Sequence, residues 1–138
     1  YNNPQSEFVA RFLGASNVLE ARCIGIDGDR VGLETADIGR LFIPRERAPR
    51  LEGAGPAKLI IRAEKLRLAA PGMTADDVVT ATGVVETVDY QGQAARYFVR
   101  VGAHQLQAIN MIDDRPFAEG AQVSLHLRPR DCAALPAS

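Results

Sequence analysis

Glycine turns cut this chain into runs too short for long helices and well suited to strands. Asp27-Gly28, Gln91-Gly92 and Gly102-Ala103 each separate two stretches in which apolar and polar residues alternate. Such dipeptides reverse an extended chain tightly, so the flanking runs pair as antiparallel strands. Strand-like runs cover 18–26, 31–34, 40–43, 59–61, 79–90, 95–101, 104–109 and 123–127, with a short piece at Leu66 and Leu68. Gly83, inside the longest run, predicts a bend or bulge of the kind a closed sheet requires. The last run alternates cleanly through Val123, Leu125 and Leu127, and 129–135 closes the chain. Residues 44–57 have loop composition, with Pro44, Pro49, Gly53, Gly55 and Pro56 among charges. Pro71-Gly72 with Asp76 and Asp77 marks an internal boundary near 70–78.

The first residues follow a different rule. Asn3 suits a helix N-cap and Pro4 the first helical position. Phe8, Val9, Phe12 and Leu13 fall on one helical stripe, and Gly14 supplies a stop. A helix this short is marginal alone and must dock on something. The expected fold is therefore mainly β: an OB-like small barrel of five or more strands, with one short N-terminal helix. In domain terms, 1–16 is a linker helix and 17–138 the β-domain.

Composition narrows the function. The formal charge is -1, which generates no field to attract nucleic acid or anionic lipid. The 16 basic residues include only two lysines, Lys58 and Lys65, and the arginines are scattered rather than clustered. Aromatic residues make up 6% of the chain, little for a nucleic-acid stacking surface. Tyr97 keeps step with Val99 and Val101 and is expected in the core. No run approaches the roughly 18–20 apolar residues that span a bilayer. The polar N-terminus carries no signal-peptide pattern, and the start without Met reads as a fragment. Cys23 and Cys132 are expected free and buried in a reducing compartment.

Catalytic patterns are missing from the sequence. There is no phosphate loop of the Gly-x-x-x-x-Gly-Lys-Ser/Thr type and no serine in a strand–turn–helix elbow. His104 and His126 lack a second His or a Cys at metal-ligand spacing, and both read as solvated surface residues. His126 alternates with Leu125 and Leu127, so it should face outward. Asp76 with Asp77, and Asp113 with Asp114, read as turn formers carrying solvated charge. Arg45, Glu46, Arg47 and Arg50 form a mixed-charge loop rather than a phosphate patch. Arg62, Glu64 and Lys65 follow a buried strand; they form a rim ion pair or meet a partner domain.

Four segments in order resemble one family. FVARFLGASN, from Phe8 to Asn17, is similar to the junction between ATPase and accessory domains in ABC importer ATPase subunits, with Leu13 for the usual Ile. Tyr1 and Pro4 fall where that family has Tyr-x-x-Pro. IRAEKLRL, from Ile61 to Leu68, resembles its Arg-Pro-Glu-x-Ile/Leu-x-Leu motif, with Ala63 in place of Pro. GVVETVDYQGQAARYFVRV, from Gly83 to Val101, resembles its Gly-x-Val-x-x-Val-x-Tyr-x-Gly run. Gly120, Val123, Leu125, Pro129 and Asp131 match its closing segment. The chain thus resembles the C-terminal TOBE (transport-associated OB-like) domain of such subunits, of the spermidine/putrescine type.

The resemblance implies a regulatory and dimerisation module at the cytoplasmic face of the bacterial inner membrane. Its implied partners are the ATPase domain of the same chain, a second copy of the subunit and the membrane permease subunits, and no nucleic acid. ATP and Mg belong to the ATPase half, so this chain is expected to carry no cofactor, metal or catalytic residue. Phe8, Val9, Phe12, Leu13, Arg62 and Glu64 are the expected partner or dimer contacts. A second expectation is a ligand-sensing module for polyamine, metal or oxyanion, with Glu86, Asp89 and Tyr90 holding a polyamine cation. A third is an OB-type nucleic-acid binder, which would show salt-dependent retention on single-stranded DNA.

Overall fold

Alternating side chains and tight turns produce ten strands in the computed structural model, which describes residues 15–113 and 115–137. They are β1 (Ser16–Asp27), β2 (Arg30–Thr35), β3 (Gly39–Pro44), β4 (Gly55–Arg62), β5 (Arg67–Ala69), β6 (Val79–Gln91), β7 (Ala94–Val101), β8 (His104–Met111), β9 (Gln122–Leu127) and β10 (Cys132–Pro136). The expected N-terminal helix, with Phe8, Val9, Phe12 and Leu13, lies outside the described residues. Three two-residue loops join β1 to β2, β6 to β7 and β7 to β8. Each starts with a glycine at positive φ, 62° at Gly28, 65° at Gly92 and 58° at Gly102, where a side chain would be strained.

The strands form two five-stranded sheets, ordered β10-β4-β1-β2-β3 and β5-β9-β6-β7-β8. Every pairing is antiparallel. The mainly β, OB-like fold expected from the sequence is built from two sheets, the second inserted between two adjacent strands of the first. The chain leaves the first sheet through a 3-10 turn at Ala63–Lys65 and returns through another at Pro129–Asp131. Ile61 and Cys132, next to these crossings, are register partners, so both connections leave side by side. Residues 70–78 mark no change of sheet; they connect β5 to β6 inside the second sheet.

Inward residues of both sheets form one continuous core. It includes Leu19, Leu33, Ile43, Leu59 and Ile61 from the first sheet, and Val85, Tyr97, Val99, Leu106, Val123 and Leu125 from the second. Tyr97 is buried, as expected, and its hydroxyl accepts from the Phe117 backbone N–H at 3.2 Å. Cys23 and Cys132 are both buried and free.

The long strand β6 breaks its register between Val85 and Thr87, leaving Glu86 as the extra residue. The irregularity anticipated at Gly83 therefore lies three residues further on. Gly83 has another role. A Cβ there would lie 2.6 Å from Val99 Cγ1 and 2.8 Å from the Arg100 carbonyl oxygen, so glycine lets β7 pack close.

Two asparagine amides supply strand-like hydrogen bonds where the backbone ladder stops. Asn17 of β1 is buried; its Oδ1 accepts from Gln107 N at 2.7 Å, and its Nδ2 donates to Gln107 O at 2.9 Å and Ile61 O at 3.2 Å. This ties the first sheet to β8 of the second. Asn110 of β8 accepts from Leu68 N and donates to Leu66 O, both at 2.9 Å. β8 and β5 are the two edges of the second sheet, so this amide draws its edges together.

Candidate functional site

The junction of the two sheets holds a cleft of about 600 Å³. Outward residues Arg40 and Phe42 of β3 form one wall. Asp76 and Asp77, on the approach to β6, form the second, and Arg128 and Arg130, at the return crossing, the third. The antiparallel pairing of β2 with β3 fixes the first wall: Glu34 and Arg40 are register partners, and Arg40 Nη2 lies 3.0 Å from Glu34 Oε2. Phe42 is 44% exposed, and the Arg30 guanidinium lies 4.9 Å from its ring centroid. Gly32 sits opposite Phe42; a Cβ there would lie 2.8 Å from Ile24 Cγ1 and 3.1 Å from Phe42 Cε1. Glycine at 32 thus lets both side chains fold over the strand. Asp77 adopts φ 59°, a left-handed geometry that aspartate tolerates. Three guanidinium groups thus share the cleft with two carboxylates. Planar guanidinium forks suit a carboxylate or a tetrahedral oxyanion.

The residues singled out from sequence separate into groups. Phe8, Val9, Phe12 and Leu13 lie outside the described residues. Arg62 and Glu64 stand at the outgoing crossing and pair with each other, each about half-exposed. Glu86 sits on the β6 bulge. It accepts from Gln105 Nε2 at 2.9 Å and pairs with Arg100 Nη2 at 3.3 Å. The Gln105 hydrogen bond first, then that from Arg100, holds its carboxyl below the usual carboxylate range. Asp89 accepts from Gln91 Nε2 at 3.3 Å and lies opposite Arg96. Tyr90 is 59% exposed. As strand neighbours, Asp89 and Tyr90 point to opposite faces, so the three residues do not converge on one cation.

His126 faces outward, as expected, with Nε2 2.9 Å from the Met73 carbonyl oxygen. His104 departs from expectation: its Nδ1 contacts Asp37 Oδ2, joining the second sheet to the β2–β3 turn of the first. Cys132, beside the return crossing, donates from Sγ to the Arg128 carbonyl at 3.5 Å. Burial, with a smaller push from Asp131, raises its thiol pKa to about 12.

The sequence model of the TOBE domain matches residues 59–135. This chain belongs to the TOBE domain family. The matched stretch runs from the middle of β4 through the whole inserted sheet to β10. It includes both crossings and two of the cleft's three walls.

Curated relatives of this TOBE domain extend the match to nearly its full length. The spermidine/putrescine import ATP-binding protein PotA of Acidothermus cellulolyticus is 35% identical over 133 residues, 94% of this chain and 34% of the relative. PotA of Rubrobacter xylanophilus is 30% identical over 138 residues, 98% of this chain and 35% of the relative. An Fe(3+) ions import ATP-binding protein of Rhizobium meliloti is 26% identical, again over 98% of this chain and 35% of the relative. The chain thus spans about a third of the length of these relatives. Among solved structures, the cytoplasmic molybdate-binding protein ModG, with molybdate bound, shares the fold. Its TM-score is 0.72 at 13% identity, covering 86% of this chain and 94% of ModG.

Sequence reasoning passed over Asn17, Asn110, the Asp37–His104 contact and the paired arginines at 128 and 130. The asparagines carried a readable signal, since both fall on the inward parity of an alternating strand. Asp37 lies in the β2–β3 turn and His104 opens β8, 67 residues away, with no local pattern to join them.

Proposed function

We propose that this TOBE domain is the regulatory and dimerisation module of the ATP-binding subunit of a bacterial ABC importer for polyamines or a related small solute. The observation that carries the reading is the extent of the match. Import ATP-binding proteins align with 94–98% of this chain, and the chain accounts for only a third of each. In this reading an ATPase part of the same polypeptide holds ATP and Mg²⁺ and performs hydrolysis. The module itself catalyses nothing. It works at the cytoplasmic face of the inner membrane, against the ATPase part, a second subunit and the permease. Among the described residues, no helix is long and apolar enough to cross a membrane. The ion-paired, half-exposed Arg62 and Glu64 at the crossing are available to such a partner.

The test is removal of the module from the whole subunit. ATP hydrolysis should persist while subunit dimerisation weakens and solute uptake falls. Unchanged dimerisation and uptake in the truncated subunit would refute the reading.

The cleft favours a second reading, a ligand-sensing module. Arg128 and Arg130, with Arg40 across the opening, offer planar guanidinium forks to an oxyanion, while Asp76 and Asp77 on the same cleft are the groups a polyamine would need. Calorimetry with sulfate, molybdate, citrate and spermidine separates the solutes. Heat from an oxyanion, abolished by Arg128→Ala with Arg130→Ala, supports sensing at the cleft. Silence with all four removes the sensing reading and leaves the dimerisation reading intact.

A further inference from the structure

The two sheets repeat one topology. In each, a meander of three strands, β1-β2-β3 or β6-β7-β8, precedes a fourth, β4 or β9, which pairs back onto the first of them and ends in a 3-10 turn. The fifth strands are exchanged: β5, after β4, closes the second sheet on β9, and β10, after β9, closes the first on β4. The registers coincide. Ile24 is left out between Cys23 and Gly25 of β1, as Glu86 is between Val85 and Thr87 of β6. Positions therefore correspond across the two junctions of the sheets. Asn17 opposite Ile61 matches Val79 opposite Leu127. Gln107, in the fourth position of β8, matches Phe42, in the fourth position of β3. At the first junction Asn17 holds the Gln107 N–H and carbonyl, and Ala63 N donates to the Ala15 carbonyl at 2.8 Å. At the second, Val79 has no amide side chain, and Pro129, the match of Ala63, has no N–H to give the Asp77 carbonyl. That unsealed junction is the cleft, whose lining includes Phe42, Asp77, Val79 and Pro129.

One wall of the cleft is an open strand edge. Arg45 N donates to the Asp29 carbonyl at 2.6 Å, and antiparallel pairs alternate between bonded and unbonded from there. Gly32 and Phe42, three steps along, are an unbonded pair, so the Phe42 N–H and carbonyl point away from β2. β3 is an edge strand, and among the described residues no hydrogen bond reaches those two groups. Arg40 and Pro44 share this orientation, giving about 13 Å of open edge. Among the described residues, Arg128, Arg130, Asp76 and Asp77 also have no ion-pair partner. We propose that the cleft receives an extended peptide segment of a partner protein, laid alongside β3, with an acidic residue at Arg128 and Arg130 and a basic one at Asp76 and Asp77. The segment's backbone meets the Phe42 N–H and carbonyl as the Asn17 amide meets Gln107. Hydrogen-bond inventory selects this occupant over a small solute. A fully ionised oxyanion accepts from the N–H but cannot donate to the carbonyl, and a protonated polyamine donates but cannot accept. A peptide backbone does both and can carry both charges. The seat does not depend on the importer reading.

Amide exchange resolved by NMR, with a pool of random nonapeptides displayed on phage as the probe, tests the seat. In the free chain the Phe42 amide should exchange about tenfold or more faster than the Gln107 amide. Peptides selected on the chain should carry both charge signs and slow Phe42 exchange by about tenfold or more. Val79→Asn supplies at this junction the amide that Asn17 supplies at the other. It should slow Phe42 exchange without peptide and abolish peptide binding. Arg128→Glu with Arg130→Glu should also abolish binding of the selected peptides, and decides alone should Val79→Asn fail to fold. The proposal is overturned if Phe42 is as protected as Gln107 in the free chain, or if no peptide is selected. It is equally overturned by selected peptides that leave Phe42 exchange unchanged or that bind the arginine variant as well as the parent. A dimer in sedimentation that protects Phe42 and is dissociated by Val79→Asn would assign the edge to a second copy. Heat from sulfate or molybdate, with no peptide selected, would assign the cleft to a solute. Either result overturns the peptide seat and leaves the importer reading standing.

Discussion

Asn17 grips Gln107 by both halves of its amide, accepting from its N–H at 2.7 Å and donating to its carbonyl at 2.9 Å. One side chain thereby imitates a strand and joins sheets whose contributing residues are 90 positions apart. Asn17→Ala removes three hydrogen bonds and takes this partner from the part-buried Gln107 N–H and carbonyl, each costing roughly 1–3 kcal/mol where water is excluded. We expect a loss of about 2–4 kcal/mol in urea denaturation. Asn17→Asp should rescue little, because a carboxylate accepts but does not donate. A loss below about 0.5 kcal/mol for Asn17→Ala would mean that water replaces the amide.

Gly102 and Asp37 form a second inter-sheet contact with a steric signature. A Cβ on Gly102 would fall 2.2 Å from Asp37 Oδ1, and φ at Gly102 is 58°. Gly102→Ala should therefore cost at least about 1 kcal/mol from backbone strain alone, plus displacement of Asp37 from His104. Adding Asp37→Ala removes the collision and leaves only the strain. The double variant should be more stable than the sum of the two single effects predicts. Strict additivity in thermal or urea denaturation would show that the turns do not touch in solution.

Much of this architecture is legible in the sequence because its information is local. The Gly28, Gly92 and Gly102 turns and the alternation of Val123, Leu125 and Leu127 place those strands within a residue or two of where they lie. The partition into two sheets is not local. Nothing within 129–135 says that β10 abandons its neighbour β9 to pair with β4, some 70 residues earlier. The bulge was misplaced for a related reason. Gly83 signals a close approach of β7, whereas the extra residue, Glu86, is set by the register against Val99 and Phe98. The cleft was illegible because Arg40, Asp77 and Arg128 meet only once β10 has returned.

Cys132 gives the fold a dependence on alkaline pH. Its thiol pKa is pushed up to about 12 in the folded chain, against about 8.5 for a free thiol. Below pH 8 the thiol is protonated in both states and contributes no pH dependence. Between about 8.5 and 12 only the unfolded chain releases the proton, so stability falls as pH rises, by up to about 1.4 kcal/mol per unit from this group. Urea denaturation from pH 7 to 10.5 should show a shallower decline in Cys132→Ala than in the parent chain. Equal slopes would place Cys132 in contact with solvent. Maleimide should likewise label Cys132 only after unfolding.

The bulge at Glu86 makes two neighbouring deletions in β6 unequal. Val85 and Val88 both turn toward the core although three positions separate them, because Glu86 is left out of the pairing. Deleting Glu86 brings Thr87 directly after Val85 and restores regular alternation, with Val88 still inward. The losses are the Gln105 and Arg100 contacts at an exposed site, together with some local twist. Thr82 lies in the regular part of the strand, paired with Ser124. Its deletion moves every residue on one side by a single position and turns either Ala81 or Val85 toward solvent. We expect the Glu86 deletion to lower stability by no more than about 2 kcal/mol. The Thr82 deletion should abolish the cooperative unfolding transition of the second sheet. Comparable transitions in the two variants would mean that β6 slides freely along β7 and β9, and that its register is not held by the inward side chains.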